Sequence, residues 1–239
     1  MRPVNFYETD TLASVTGHCL RPGGLNLTDR ALDLCRIPAG ARVLDVGCGT
    51  GATAAHLRKK HGLKAVGIDA SALLLEKGAA AGIDTPRMMA KAERLPVGGG
   101  TLDAVLCECV LSLCPDPGAV LSEFHRALAP GGALLMSDLY TRSPAPDWEH
   151  DPRRGAFPNC LAGAMDRDRI DHLVTAAGFQ RQTWEDHTPM LKQLAAQLVW
   201  TYGSLEALRS ILGRDRCGNG TSGCQNTYGY YLMTARKGE

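Results

Sequence analysis

The sequence predicts an α/β fold: a doubly wound sheet of seven strands, mostly parallel with an antiparallel last strand, with helices on both faces. Three observations carry this expectation. From residue 42 onward, short β-branched or apolar runs alternate with helix-length segments, the order that builds parallel strands joined by crossover helices. The run "LDAVLC" is apolar almost without a break, as a strand covered on both faces is. The closing run "TYGYYLMTARK" is aromatic and rich in residues that favour strands.

The elements follow in order. "RVLDVG" (42–47) is the first strand, and "KAVGID" (64–69), "RMMA" (87–90), "LDAVLC" (102–107) and "ALLMSDLY" (133–140) are the next four. Between them, "GATAAHLRKKHG" gathers its basic residues in its last turns, which is a helix C-terminus signal. "SALLLEKGAAAG" begins on Ser71, a capping residue, and "DPGAVLSEFHRALAPGG" begins on Asp116 and is expected to stop at Pro130-Gly131. "DRDRIDHLVTAAGF" and "QRQTWED" add a helix and the sixth strand, and 227–237 is the seventh. "MLKQLAAQLVW" is apolar at helical spacing, which suits a core face or a dimer face. Residues 140–160 are rich in Pro, Asp and Arg without a period and are expected to form a long loop over the site. We therefore expect one domain over 1–239: an N-terminal helical lid (1–40), a ligand-binding core (41–140), and an acceptor side built by 141–239.

Bulk properties narrow the partners. A chain of 239 residues that is 44% hydrophobic can bury a substantial core. With 26 basic and 25 acidic side chains the net charge is +1, so no global field draws it to nucleic acid or to an anionic membrane. "MRPVNFYETD" lacks a secretory apolar stretch, and no run approaches the roughly 20 apolar residues of a spanning helix. A cytoplasmic location and a small-molecule partner are expected; oligomeric state is left open. Nine cysteines, an odd number in a domain of this size, argue against a disulfide framework.

"VLDVGCGTGA" joins a buried strand to Gly47, Gly49 and Gly51 and then to a helix, an arrangement that brings backbone and helix N–H groups against a ligand. Asp69 closes the second strand about 20 residues later, where a carboxylate can accept from ribose hydroxyls. Those two features fit a dinucleotide as well. The ordered series "DVGCGTG", "GIDAS", "KAERLPVGGGTLDAVLC" and "ALAPGGALLMSDL" resembles class I S-adenosylmethionine-dependent methyltransferases, whose fold is Rossmann-like. The resemblance implies S-adenosyl-L-methionine as cofactor and S-adenosyl-L-homocysteine as product. It assigns Asp45 and the loop Gly47, Cys48, Gly49, Thr50 and Gly51 to the methionine part, and Asp69 to the ribose. Ala70 is placed beside the adenine, Ala92 and Glu93 on its far wall, and the backbone near Cys107 at the methionine amino group. Lys91 stands where many relatives carry an acid and receives no role.

The stretches "CECVLSLCPDPGAVLSEFHRALAPGGALLMSDLYTRS", "FPNCLAGAM" and "CQNTYG" resemble arsenite S-adenosylmethionine methyltransferases. That resemblance implies a trivalent metalloid held by thiolates at Cys160 and Cys224, with Cys19 third, although "GHCLRPGG" matches poorly. A soft metalloid selects thiolates and is its own nucleophile, so no base is required. Cys35, Cys48 and Cys107 are expected to be core, as is Cys109. No resident metal is expected, because "CEC" lacks a second ligand pair. His125 is more readily a packing residue than a catalytic one, and no catalytic residue is assigned. Two other functions stay open: methyl transfer to an ordinary O, N or C nucleophile with structural cysteines, and a non-catalytic cofactor-binding regulatory module.

Overall fold

Val43, Leu44 and Val46 are all buried in strand β1 (Arg42–Val46), so consecutive side chains meet apolar partners on opposite faces of the sheet. This holds in the computed structural model, which describes residues 6–142, 160–161, 163–203 and 228–238. The further strands are β2 (Lys64–Asp69), β3 (Arg87–Met89), β4 (Leu102–Glu108), β5 (Leu128–Thr141), β6 (Met165–Asp166), β7 (Phe179–Asp186) and β8 (Tyr228–Lys237). Their order is β3-β2-β1-β4-β5-β8-β7, with β6 paired to β5 off that path. β8 runs antiparallel to both β5 and β7, and the other pairs are parallel. Seven strands lie on the path, as the sequence implies; the two-residue β6 is additional.

The strand order reverses between β1 and β4, which opens a crevice beyond their carboxyl ends. Helices α2 (Gly24–Cys35) and α3 (Ala52–His61) cover one face through Leu27, Ala31, Ala54 and Leu57. Helices α5 (Pro117–Ala127) and α6 (Arg167–Ala176) cover the other through Val120, Phe124, Ile170 and Val174. Helix α4 (Ala72–Ala80) begins where Ser71 Oγ accepts from the Leu74 N–H, and α5 where Asp116 Oδ1 accepts from the Ala119 N–H.

One boundary moves. The helix expected to reach Pro130-Gly131 stops at Ala127, because Leu128 is already extended (ψ 140°) and pairs with Leu102. Helix α7 (Thr188–Tyr202) buries Leu194 and Leu198 against Leu12 of the N-terminal helix α1 (Asp10–Thr16). Its apolar stripe is thus a core face, while Trp200 on the same helix is 91% exposed. Among the described residues no helix is long and apolar enough to cross a membrane.

Candidate active site

The loop after β1 is held mainly by the end of β2. The N–H groups of Gly47 and Cys48 donate to the Ile68 carbonyl, Gly49 donates to Asp69 Oδ2 at 2.7 Å, and Gly51 donates to the Cys48 carbonyl. The glycines therefore act by closeness rather than by offering these donors. A Cβ at Gly47, whose φ is +71°, would lie 2.1 Å from Val110 Cγ2. At Gly49 a Cβ would meet nothing within 4 Å, so open space lies beside the loop. Asp69 Oδ1 accepts from the Ser71 N–H, and a carboxylate, with about four acceptor directions, keeps capacity beyond its backbone donors. Burial raises its pKa, with those backbone donors opposing.

Beyond the carboxyl ends of β1, β2 and β4 lies a cavity of about 510 Å³, within the usual range for a small-ligand site. Its walls come from the loop after β1, from Asp69–Ser71, from Ala90–Glu93, and from Glu108–Val110 with Leu113–Pro115. Tyr7, Glu8, His18, Leu20 and Arg21 close it from the N-terminal side. That segment is fastened: Ser71 Oγ donates to Glu8, Lys77 Nζ donates to the Glu8 carbonyl and to Asp10, and Thr50 Oγ1 donates to the His18 carbonyl.

The wall holds a buried ionic group. Arg21 and Glu108 lie 2.7 Å apart, Thr28 Oγ1 donates to Glu108, and Arg21 also donates to Thr28 and Thr53. Burial raises the Glu108 pKa against the pull of Arg21 and Thr28. Burial works against the charge on Arg21, but the neighbouring Glu108, Cys19, Tyr230 and Asp45 together outweigh it and the guanidinium stays protonated. Among the described residues, Arg21 Nε and Asp45 Oδ2 are buried without a hydrogen-bond partner. The Asp45 carboxyl is pushed up to about 7 by burial, then by the nearby Glu108, with Arg21 opposing.

At the end of β4 the polar groups change character. Cys109 has a left-handed backbone (φ 57°), unusual outside glycine, and its Sγ shares a 3.0 Å hydrogen bond with the Tyr230 hydroxyl. Cys160 hydrogen-bonds to Tyr7 and lies near Asp138, and burial pushes its thiol up to about 12. Burial likewise raises Cys109. Ser112 donates to Asp138 from both its N–H and its hydroxyl, and burial pushes the Asp138 carboxyl up to about 6.

Of the residues expected to hold the cofactor, Asp45, Gly47, Cys48, Gly49, Asp69, Ala70, Ala92 and Glu93 line the cavity. Thr50, Gly51 and Cys107 do not. Gly51 turns the chain into α3, and Cys107 is 1% exposed in the core between the sheet and α5. Its successors Glu108, Cys109 and Val110 form the wall instead, so Cys109 is a wall residue as well as a packed one. Cys19 and Cys160 fall in different surroundings: Cys19 beside Arg21 and Glu108, Cys160 beside Tyr7 and Cys109. Cys224 lies outside the described residues. His125 stacks edge-to-face on Phe179 and is not in the cavity. Arg21, Glu108 and Asp138 escaped sequence reasoning, though Glu108, a charge inside an apolar run, was a visible anomaly.

The methyltransferase domain family model matches residues 44–136. The uncharacterized methyltransferase YodH of Bacillus subtilis is 34% identical over 182 residues, 74% of this chain and 75% of its own. A ubiquinone biosynthesis O-methyltransferase of Xanthomonas oryzae is 35% identical over 133 residues, 54% of this chain and 53% of its own. An arsenite methyltransferase of Aquipseudomonas alcaligenes is 36% identical over 86 residues, 36% of this chain and 24% of its own. The chain thus spans about half the length of the ubiquinone enzyme it matches, and less of the arsenite enzyme. Among solved structures, phosphoethanolamine N-methyltransferase 2 of Haemonchus contortus, in complex with S-adenosyl-L-methionine, superposes with a TM-score of 0.73 at 17% identity. It covers all of this chain and 61% of its own, and establishes a shared fold.

Proposed function

The chain belongs to the class I methyltransferase family, and from that premise we propose that it transfers the methyl group of S-adenosyl-L-methionine to a small molecule in the cavity, leaving S-adenosyl-L-homocysteine. The observation that supports this most is Asp69, fixed by Gly49 and Ser71 at the end of β2 with acceptor capacity to spare inside the cavity. Ribose hydroxyls suit that carboxylate. The unpartnered Asp45 Oδ2 and Arg21 Nε suit the ammonium and carboxylate of an amino-acid end, and Ala70, Ala92 and Glu93 line the space left for a base.

When bound, the sulfonium supplies an electrophilic methyl group and a neutral thioether as leaving group. The protein has to align a nucleophile in line at about 3 Å and keep water out. Val110, Leu113 and Pro115 give the acceptor end an apolar wall, and Tyr7, Glu8 and His18 cover it from the N-terminal segment. The near-balanced charge favours a small acceptor over nucleic acid.

The thiols favour one narrower reading, an acceptor that is thiol-reactive, such as arsenite. Cys114 lines the cavity, and Cys109 and Cys160 meet Tyr7 beside it. Condensation of three thiols with As(OH)₃ releases three waters and needs no prior ionisation, so Cys109 and Cys160, whose pKa values burial raises, are competent for it. An acceptor panel including arsenite, phenols and amines, read by homocysteine released from the product, tests both levels. Turnover with a phenol or amine but not arsenite removes the metalloid reading and keeps the methyltransferase. No turnover with any acceptor, together with cofactor binding, favours the regulatory module.

A further inference from the structure

Behind the cavity wall, on the α2–α3 side, one carboxylate oxygen takes two imidazoles. Asp29 Oδ1 lies 2.7 Å from His56 Nε2 and 2.6 Å from His61 Nε2, and Lys60 Nζ donates to the other oxygen at 2.7 Å. The two rings stand edge to face at 5.5 Å. All three potential ligand atoms lie within 4.8 Å of one another. Burial alone would raise the Asp29 carboxyl, but hydrogen bonds from Lys60, His56 and His61 hold it well below the usual carboxylate range. The side chains are 16 to 24% exposed, shielded enough to be ordered and open enough for an ion to enter.

We propose that Asp29, His56 and His61 form a site for one divalent transition cation of borderline softness, of the Zn²⁺ class, clasping α2 to α3. Two imidazoles and a carboxylate are the donor set such ions take, with bonds of about 2.0 to 2.2 Å. Tetrahedral spacing at that length separates donors by about 3.3 Å, so Asp29 Oδ1 has to withdraw from each imidazole by about 0.7 Å. The partly buried Asp29 carboxylate can do so by rotating about its own side-chain bonds. Each imidazole coordinates through Nε2 with its proton on Nδ1, and water completes the fourth position. The Lys60 ammonium opposes the cation while steadying Oδ2, which places the affinity in a moderate range.

The clasp bears on the cavity. Thr28 precedes Asp29 on α2, Thr53 lies one turn before His56 on α3, and both bond to Arg21 in the wall. A cation fixing the two helices steadies the Arg21–Glu108 pair.

The test uses the intact, untagged, reduced chain after chelator treatment, titrated with Co²⁺ alone at neutral pH. One equivalent should bind with visible d–d bands and without a sulfur-to-cobalt charge-transfer band. His56→Gln and His61→Gln should each weaken binding at least tenfold, His172→Gln should leave it unchanged, and Lys60→Gln should tighten it. Should a variant fail to fold, imidazole ¹H–¹⁵N correlation spectra of the wild-type protein with Zn²⁺ decide. Two of the seven histidines should then shift to the Nδ1–H form. No binding, binding carried only by thiolates, or binding undiminished in both histidine variants overturns the proposal.

Discussion

The N–H of Gly49 donates to Oδ2 of Asp69 across 2.7 Å, so the loop after β1 and the acid that ends β2 are one unit. Asp69 also accepts from Ser71 at the start of α4, so its carboxylate joins three segments. Asp69→Asn keeps the shape but turns an amide donor toward one of two backbone donors. A loss of about 1 to 3 kcal/mol in urea unfolding is expected. Unchanged stability would mean that the loop does not depend on this carboxylate.

Gly47→Ala combines a left-handed backbone with a Cβ 2.1 Å from Val110 Cγ2. The backbone part costs about 1 to 2 kcal/mol and the overlap about 1 to 3 kcal/mol. Val110→Ala removes only the second part, so the double variant should be more stable than the sum of the single effects predicts. Strict additivity in thermal or urea unfolding would show that the two positions do not touch.

Asp45 carries a pH signature. Its carboxyl is raised to about 7 in the fold, so between about pH 4 and 7 the folded chain holds a proton that the unfolded chain releases. The sign follows: this group's contribution to stability falls as pH rises through that window and is constant above it. An ammonium placed on Asp45 favours the ionised form, so binding of S-adenosyl-L-homocysteine should release a proton below about pH 7. Affinity should rise up to that pH and then level. Calorimetry in buffers of different ionisation enthalpy measures the proton, and Asp45→Asn should abolish its release. Asp138, near 6, lies outside the cavity wall and should remain a stability effect.

The thiols should sort by surroundings. Cys114 is half-buried in the cavity wall, whereas Cys35, Cys48 and Cys107 are buried and their pKa values are raised by burial. Maleimide should label Cys114 well before those three, and S-adenosyl-L-homocysteine should slow that labelling. Peptide mass mapping with and without ligand reads this out; equal labelling of Cys114 in both states would place the ligand elsewhere.

Much of this was legible in the sequence because it is local. "DVGCGTG" and Asp69 announce a turn and an acid by residue type and spacing, and Ser71 and Asp116 announce their helices by capping chemistry. The parts that were hidden are long-range or too short to have a period. Arg21 lies between α1 and α2 while Glu108 ends β4, and only the docking of the N-terminal segment on β4 joins them. β6 has two residues and cannot show alternation. Residues Leu128–Gly132 read as a helix end, but pairing with β4 draws Leu128 into the sheet. The move from Cys107 to Glu108–Val110 as the cavity wall is a shift of one to three positions along the chain, across the end of β4. The apolar pattern of that strand could not fix where it emerges from the core.

The central claim is that this cavity holds S-adenosyl-L-methionine through Asp69. Titration calorimetry of the wild-type chain and of Asp69→Ala, with S-adenosyl-L-homocysteine and separately with NADH, tests it most directly. The account predicts one equivalent of S-adenosyl-L-homocysteine bound by the wild type and no comparable binding of NADH. It also predicts a loss of about 1.5 to 3 kcal/mol in affinity for each ribose hydrogen bond removed in the variant, provided the variant is shown to be folded. Unchanged affinity in folded Asp69→Ala, or preference for NADH, would contradict it.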